Sequence, residues 1–404
     1  MQRTVNYHSL FSVFLTLGKM IGESFIKFVY TIGIEKGGII MHKLGISIYP
    51  EHSTKEQDFA YMELAAKYGF TRIFTCLLSV QKPKEEIVAE FKEFMDKAHE
   101  LGFLVSVDTN PEVFKHLGAS PQDVSVFHEI GVDIIRMDGN FGDFMDRLLT
   151  HNPYNIKIEF NGSSDTQIMH MISHGADKHN MTICHNFYPE RYSGLGWNTF
   201  MKFNKNWVES GLTVGAFISS NNTNTFGPWP VYSGLPTVEL HRGLPIDVQL
   251  RHMLACEAID DILIGNAYAT EEELKAMSEV DLTKTTIRLE LEDGLNEVEE
   301  HVLFDMPHGG RGDASDYYIR SSLPRFFCKE KAIPHRECNQ KTFTRGDVVV
   351  VNDNLAHYRG EVEIILQDIE NDGERNLVGR IPDNELMILD LMEQHPDHIF
   401  GFIK

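Results

Sequence analysis

From Leu44 onward, short apolar runs with two-residue alternation are followed by longer segments of helical periodicity. Alternation of this kind is typical of strands, and a 3.6-residue period is typical of amphipathic helices. The predicted strands are Leu44–Tyr49, Arg72–Leu78, Leu104–Asp108, Ile134–Asp138, Ile156–Phe160, Met181–Asn186, Thr213–Ser219 and Asp261–Asn266. Helices are predicted between them, for example at Lys55–Tyr68, Pro83–Leu101 and Asp165–His179.

Eight consecutive units of strand and helix favour an α/β fold of the (β/α)₈ TIM-barrel type, because eight parallel strands can close a sheet on itself. A doubly wound open sheet is the alternative. After about Val280 the intervening helices disappear. The strands predicted there are Thr286–Leu291, His301–Phe304, Tyr317–Arg320, Asp347–Val351 and Glu361–Gln367, with a short helix near Asp383–Glu393. We therefore expect a barrel domain at residues 41–280 and a smaller, mainly antiparallel β domain at residues 281–404.

The charge balance limits the classes of partner. The chain has 404 residues, with 37 Lys and Arg against 59 Asp and Glu, which gives a formal net charge of −22. A surplus of this size repels nucleic-acid backbones and anionic membrane surfaces. A small phosphorylated ligand needs only a few local cations, so the charge does not exclude one.

Cysteine usage and motif spacing argue against a bound cofactor. The five cysteines form no CxxC pair, which makes a disulfide framework and a cysteine-rich zinc site improbable and favours a reducing cytoplasm. No HExxH, GxGxxG or GxxxxGK[ST] motif is present at the positions where a metal or a nucleotide would need it. We expect no metal and no organic cofactor.

The first 40 residues form a separate segment. The apolar run Ser9–Ile34 is interrupted by Lys19, Glu23 and Lys27, so it lacks the ~18 uncharged residues of a spanning helix. Lys36-Gly37-Gly38 can be encoded by a bacterial ribosome-binding sequence shortly before Met41. This predicts that Met41 is the true start and that the protein has no membrane partner. A membrane-targeting segment is the alternative.

Polar residues gather where the predicted barrel strands end, and such ends carry the chemistry in barrels of this type. Alternation turns Asp108, Asp138 and Glu159 inward on three neighbouring strands, with Arg136 and Lys157 expected one layer lower. Crowded carboxyls differ in pKa, so one can donate a proton while another stays ionised, as glycoside hydrolysis requires. We expect Glu159 to be the proton donor, with Asp138 or Asp108 as its partner. An interior salt-bridge layer without catalytic function is the alternative.

Other residues at the same strand ends are candidates for sugar binding. Asn161, Asn186 and Asn221 carry amides suited to hydroxyl and acetamido groups. His185 either contacts the ligand or turns outward, since it alternates with Ile183 and Phe187. The stretch from Asn221 to Trp229 is typical of a loop that contacts sugars, or of a proline-rich loop that packs on the second domain.

Several segments carry a resemblance to a known family. LGISIYPEHS, SVDTNP, IIRMDG, KIEFNGSS, CHNFYPERYSGL and FISSNN occur in this order, followed by RGDASDYYIRSS and GDVVVVNDN. From about Met41 to the C-terminus the chain resembles the 6-phospho-N-acetylmuramidase family. The resemblance implies a barrel joined to a cyclophilin-like β domain. It also implies an intracellular exo-acting glycosidase that cleaves a disaccharide of 6-phospho-N-acetylmuramic acid and N-acetylglucosamine during peptidoglycan recycling.

Such a substrate carries a phosphate and a carboxylate, which require cations. We expect Arg311, Arg320 and Ser321 of the β domain to bind the phosphate, because guanidinium and hydroxyl groups match its oxygens. The alternative is a salt-bridged domain interface. Two other functions also fit the sequence. One is another phosphosugar enzyme on the same barrel, such as an isomerase or an aldolase that uses Lys157 as a Schiff-base amine, and the other is a non-enzymatic surface or sugar-binding protein.

Overall fold

The computed structural model describes residues 42–78, 82–164, 167–328 and 330–404. The predicted start at Met41 and the alternative targeting segment both lie outside these residues. Among the helices within these ranges, none is both long enough and apolar enough to cross a membrane.

Eight parallel strands close into a barrel in chain order, with β1 hydrogen-bonded to both β2 and β8. They are β1 (Lys43–Ser47), β2 (Arg72–Cys76), β3 (Leu104–Thr109), β4 (Ile134–Met137), β5 (Lys157–Asn161), β6 (Met181–Cys184), β7 (Val214–Ile218) and β8 (Asp261–Ile264). The predicted (β/α)₈ barrel is therefore confirmed, and the open sheet is excluded.

Helices follow the strands and cover the outside of the barrel. They are α1 (Lys55–Lys67), α2 (Lys84–Glu100), α3 (Pro111–Leu117), α4 (Ser125–Ile130), α5 (Asp143–Leu149), α6 (Ile168–Ser173), α7 (Trp197–Ser210), α8 (Ile246–Ala255) and α9 (Glu271–Ser278). Local sequence sets their ends: Thr54 and Gln57 form a capping box at the start of α1. The helix predicted at Asp165–His179 is shorter, because Gly175 at φ 93° follows its last turn.

The alternation along the strands separates two cores. Val105, Val107, Ile135 and Met137 are fully buried among the helices. The opposite faces point into the barrel, where an apolar cluster lies beside charged groups. The buried members of that cluster are Tyr49, Phe74, Cys76, Cys184, Phe217, Leu263 and Ala267.

Beyond the barrel the chain forms three small sheets. Their strands are β9 (Thr285–Arg288), β10 (Glu290–Leu291), β11 (His308–Gly309), β12 (Tyr318–Ser321), β13 (Thr342–Phe343), β14 (Asp347–Val351), β15 (Val362–Ile365), β16 (Ile369–Glu370), β17 (Arg375–Arg380) and β18 (Ile399–Ile403). The largest sheet is antiparallel and has the order β10-β17-β14-β15-β12. Three helices accompany these sheets: α10 (Glu297–Phe304), α11 (Leu323–Phe327) and α12 (Leu386–Gln394).

The strand predicted at His301–Phe304 is wrong, because these residues form the end of α10. Asn296 accepts the backbone N–H groups of Val298 and Glu299, and the Glu299 side chain accepts the N–H of Asn296. This capping box starts a helix at a point where the apolar pattern also fits a strand.

A buried ion cluster joins the barrel to the sheets that follow it. The side chain of Arg251 on α8 is fully buried and donates two hydrogen bonds of 2.5 Å to Glu385, just before α12. Arg251 also pairs with Asp247 at 3.0 Å, and Arg288 on β9 bonds to the same two acids. The two regions are therefore joined by charge-assisted bonds, of which those between Arg251 and Glu385 are fully buried.

Candidate active site

A charged layer lies inside the barrel. Arg72 on β2 lies 3.3 Å from Glu159 on β5 and 3.1 Å from Asp261 on β8, and it donates to Ser106 at 2.9 Å. We call Arg72, Glu159 and Asp261 the interior ion layer. Gly45 makes room for it, because a Cβ at this position would lie 2.8 Å from Cβ of Arg72.

A second charged group, the mouth cluster, lies at the carboxyl ends of the strands and consists of Asp108, Arg136, Asp138 and Asn186. Arg136 on β4 donates to Asp108 at the end of β3 at 2.6 Å and lies 3.6 Å from Asp138. It also donates to the side-chain oxygen of Asn186. Asp108 is buried, whereas the side chain of Asp138 is 45% exposed. The cluster therefore extends from the interior to the surface.

The electrostatics of the interior favour one protonated carboxyl. Arg72 and Arg136 supply two positive charges, against three buried carboxyls at Asp108, Glu159 and Asp261. Burial raises the pKa of Asp108 to about 6, although Arg136 opposes the shift. Burial also raises the pKa of Glu159, whose Oε1 has no hydrogen-bond partner among the described residues. A carboxyl with a pKa near 6 holds a proton for part of the time at neutral pH, as a general acid must.

The spacing of the two mouth carboxyls fits glycosidic chemistry. Both contact the same nitrogen of Arg136, so their contacting oxygens lie within about 6 Å of each other. Retaining glycosidases separate their carboxyls by about 5–5.5 Å, and inverting enzymes by about 6.5–9.5 Å to admit a water molecule. One buried acid beside one exposed acid can divide the roles of proton donor and charge-bearing partner.

The structure places Glu159 lower than the sequence predicts. In the strand register Glu159 is opposite Arg136 and Thr182, and it contacts Arg72 in the interior ion layer. Lys157 lies below Glu159 on β5, as expected. It is the first residue of β5, and its amine donates to the backbone carbonyl of His179 just before β6. This position at the amino end of the strands removes the basis for an aldolase that uses Lys157.

Some of the predicted sugar-binding residues lie at the mouth of the barrel, and others face the surrounding helices. Asn186 belongs to the mouth cluster, and Asn161 ends β5 with its side chain accepting the N–H of Ser163 at 2.8 Å. His185 is fully buried and faces α7, where its ring contacts Asn204 at 3.1 Å. Burial lowers its pKa to about 4. Of the two orientations expected for His185, the structure therefore shows the outward one. Its side chain does not reach the mouth.

Asn221 lies in the long loop after β7, and its side-chain amide donates to the carbonyl of Leu244 at 2.7 Å. Trp229 in the same loop is partly exposed, with its ring centroid 6.2 Å from that of Phe187 in the loop after β6. The loop therefore packs against the mouth of the barrel and leaves polar and aromatic groups at its rim.

The candidate phosphate ligands of the β domain are already paired. Arg311 makes two bonds to Asp313, at 2.6 and 2.8 Å, and Arg320 reaches the same carboxylate at 2.9 Å. Ser321 is buried and contacts the ring of His308 at 3.1 Å. Neither arginine bonds to a barrel residue within the described parts of the chain. A ligand would have to compete with Asp313 for both arginines, and Ser321 does not face solvent.

Arg72 is a member of the site that the sequence reasoning missed. Its side chain is almost fully buried, and its positive charge offsets the negative charges of Glu159 and Asp261. The signal was available, because Arg72 alternates with Ile73 and shares its face with Phe74 and Cys76. For metal binding, the described residues contain no group of three His, Cys, Asp or Glu side chains placed to hold an ion.

Comparison with known proteins places the chain in a family. The model of the N-terminal part of 6-phospho-N-acetylmuramidase matches residues 44–279, and the model of the C-terminal part matches residues 285–402. An uncharacterized B. cereus protein of known crystal structure is 40% identical over 90% of this chain and 99% of its own, with a TM-score of 0.82. A conserved Enterococcus faecalis protein of unknown function shares the fold at 24% identity, over 90% of this chain and 96% of its own, with a TM-score of 0.63. No curated protein is significantly similar to the chain. The chain belongs to the 6-phospho-N-acetylmuramidase family, whose name describes a glycosidase.

Proposed function

We propose that the protein hydrolyses the glycosidic bond between 6-phospho-N-acetylmuramic acid and N-acetylglucosamine. The observation that carries this proposal is the mouth cluster, in which a buried carboxyl with a raised pKa lies beside a solvent-accessible one. Family membership supports the class of reaction and the choice of a phosphorylated sugar as the substrate. The proposed setting is peptidoglycan recycling in the cytoplasm, by a barrel followed by a cyclophilin-like β domain.

In this proposal Asp108 gives its proton to the glycosidic oxygen as the bond to the anomeric carbon breaks. Asp138 is the exposed partner, and it acts as nucleophile, as base, or as the carboxylate that orients the acetamido group of the sugar. Arg136 touches both acids and holds them in place. The close spacing of the acids favours retention of configuration at the anomeric carbon.

Glu159 remains a second candidate for the proton donor. It has the required raised pKa, but its contacts are with Arg72 and Thr182 inside the barrel. No contact between Glu159 and the exposed acid Asp138 is recorded among the described residues, and Glu159 instead pairs with Arg72. Asp108 is also buried, and it shares Arg136 with the exposed acid Asp138, so we assign the proton to Asp108.

The proposal is tested by incubating the purified protein with the phosphorylated disaccharide and identifying the products by mass spectrometry. We expect equal amounts of 6-phospho-N-acetylmuramic acid and N-acetylglucosamine, with one ¹⁸O atom incorporated when the reaction runs in H₂¹⁸O. Binding of the disaccharide without turnover would instead indicate a sugar-binding protein. Breakage of a carbon–carbon bond would indicate an aldolase.

A further inference from the structure

A cavity of about 520 Å³ opens at the rim of the barrel, between the loops that follow β6 and β7. We call it the rim cavity. Its lining includes Arg191 and Tyr192 from the first loop, and Asn221, Thr223 and Tyr232 from the second. Its volume lies within the range of about 300–1,000 Å³ that is typical of small-molecule sites. It is at the same end of the barrel as the mouth cluster.

An ion pair between two residues of the protein forms part of the wall of the rim cavity. Arg242 makes two bonds of 2.7 Å to Glu239 and donates to backbone carbonyls in both loops, among them those of Ser233 and Tyr188. These bonds lower the pKa of Glu239 to about 2, so it stays ionised and neutralises Arg242. The pair therefore holds the two loops together and leaves no net charge for a ligand.

Arg191 is different, because it is an exposed cation on the same wall with no ion pair or hydrogen bond to any described residue. The rim cavity thus carries one uncompensated positive charge on a chain whose net charge is −22. A guanidinium group presents several donors in a plane that matches a phosphate or a carboxylate. The chemistry of this wall fits an anionic ligand.

Two exposed aromatic side chains line the same cavity. Tyr192 is 88% exposed and Tyr232 is 87% exposed, although tyrosine rings usually bury much of their surface. The backbone of Tyr192 has φ 71°, a conformation that bulky residues rarely adopt, and its N–H is held by Glu239 at 2.8 Å. The fold therefore maintains an unfavourable backbone conformation at a residue whose ring faces solvent beside the cavity.

We propose that the rim cavity binds the phosphorylated end of the amino sugar and that Arg191 is the residue that recognises the phosphate. This inference rests on the proposed function for the identity of the sugar. The tyrosine rings pack on the C–H face of the sugar, while the Thr223 hydroxyl and the side-chain oxygen of Asn221 remain available for its polar groups. In contrast, a phosphate at Arg311 or Arg320 would face the carboxylate of Asp313.

The test measures binding separately from hydrolysis in the full-length protein. We would compare wild type, Arg191→Gln and Arg191→Lys by calorimetry with N-acetylglucosamine 6-phosphate and with N-acetylglucosamine. Arg191→Gln should weaken binding of the phosphosugar at least tenfold and leave binding of the neutral sugar unchanged, while Arg191→Lys should retain part of the affinity. Arg311→Gln is the matched control, an exposed arginine already paired with an acid, and it should change the affinity less than twofold.

Kinetics with the disaccharide provide the second readout. Arg191→Gln should raise KM for the phosphorylated disaccharide about tenfold or more with little change in kcat, because the lost contact is made equally before and during bond cleavage. Unchanged phosphosugar affinity in Arg191→Gln would overturn the inference, as would a larger loss in Arg311→Gln or Arg320→Gln, or no phosphosugar binding by the wild type. If no disaccharide is hydrolysed but Arg191→Gln still loses the phosphosugar, the proposed function fails and the rim cavity stands.

Discussion

Replacement of Asp108 by Asn tests whether this residue, and not another buried acid, donates the proton. The variant keeps the shape of the side chain and an oxygen that can accept a hydrogen bond from Arg136, but it has no proton to donate at neutral pH. Loss of a general acid lowers the rate by about 10²–10⁴. We therefore expect kcat on the phosphorylated disaccharide to fall by at least a hundredfold.

The pKa of Asp108 gives the magnitude and the sign of the effect on stability. A carboxyl with an unfolded pKa of 3.8 and a folded pKa of about 6 binds its proton more tightly in the folded state. Stability is therefore highest while the group is protonated and falls as the pH rises from about 4 to about 6, by roughly 3 kcal/mol in total. Asn at this position does not titrate. As the pH rises over this range, the wild type should lose stability that the variant keeps. The free energy of unfolding of the variant should therefore increase relative to that of the wild type.

Urea unfolding at several pH values and steady-state kinetics measure the two effects. The matched control is Asp261→Asn, which also removes a buried acid from an arginine, since Asp261 lies 3.1 Å from Arg72. The control should lose stability but keep kcat within about threefold. The reasoning is refuted if Asp108→Asn retains more than a tenth of the wild-type kcat, or if Asp261→Asn loses as much activity as Asp108→Asn.

Three further predictions concern the remaining charges. Glu159→Gln should retain at least a tenth of the wild-type kcat, because Glu159 contacts Arg72 within the interior ion layer; a hundredfold loss would return the role of donor to Glu159. The kcat of the wild type should decline as the pH rises above about 6, where Asp108 loses its proton, and a profile flat to pH 8 would exclude Asp108 as the acid. Arg251→Met should reduce the free energy of unfolding by about 3–5 kcal/mol, because it leaves Glu385 buried without its closest partner. Chemical denaturation measures that loss, and a change below about 1 kcal/mol would show that Arg288 alone compensates Glu385.

The sequence is informative about which way barrel residues face and much less so about their depth. Alternation separates Val105 and Val107 from Asp108, and the structure buries the two valines against the helices as expected. Depth depends on how neighbouring strands are staggered around the barrel, which no local pattern specifies. For this reason Glu159 is expected at the mouth but pairs in register with Arg136 and lies in the interior ion layer.

The β region shows a second limit. The strand Asp347–Val351 contains four consecutive valines, which strongly favour strands, and its predicted bounds agree with those of β14. Its neighbour β17 was missed, because its sequence RNLVGR combines few apolar residues with a glycine. That strand is stabilised by pairing with β14 and β10 along its length, which is a tertiary effect.

The rim cavity illustrates a third limit, since its parts are far apart in the chain. Arg191 and Tyr232 belong to different loops, and the bonds of Arg242 to both loops hold them together. Both arginines are exposed, but Arg311 is paired with Asp313 whereas Arg191 has no partner among the described residues, and this difference cannot be read from the sequence. The sequence can therefore indicate candidate arginines for phosphate binding, but only the structure shows whether an acid already occupies them.

The most direct test of the account is the ratio of kcat/KM for the phosphorylated disaccharide to kcat/KM for the same disaccharide without its phosphate. The analogue without a phosphate cannot form charge-assisted hydrogen bonds with Arg191, so the site should discriminate strongly between the two disaccharides. We predict a ratio above about ten for the purified protein. A ratio near one, or no cleavage of either disaccharide, would show that the protein is not a glycosidase for a phosphorylated amino sugar.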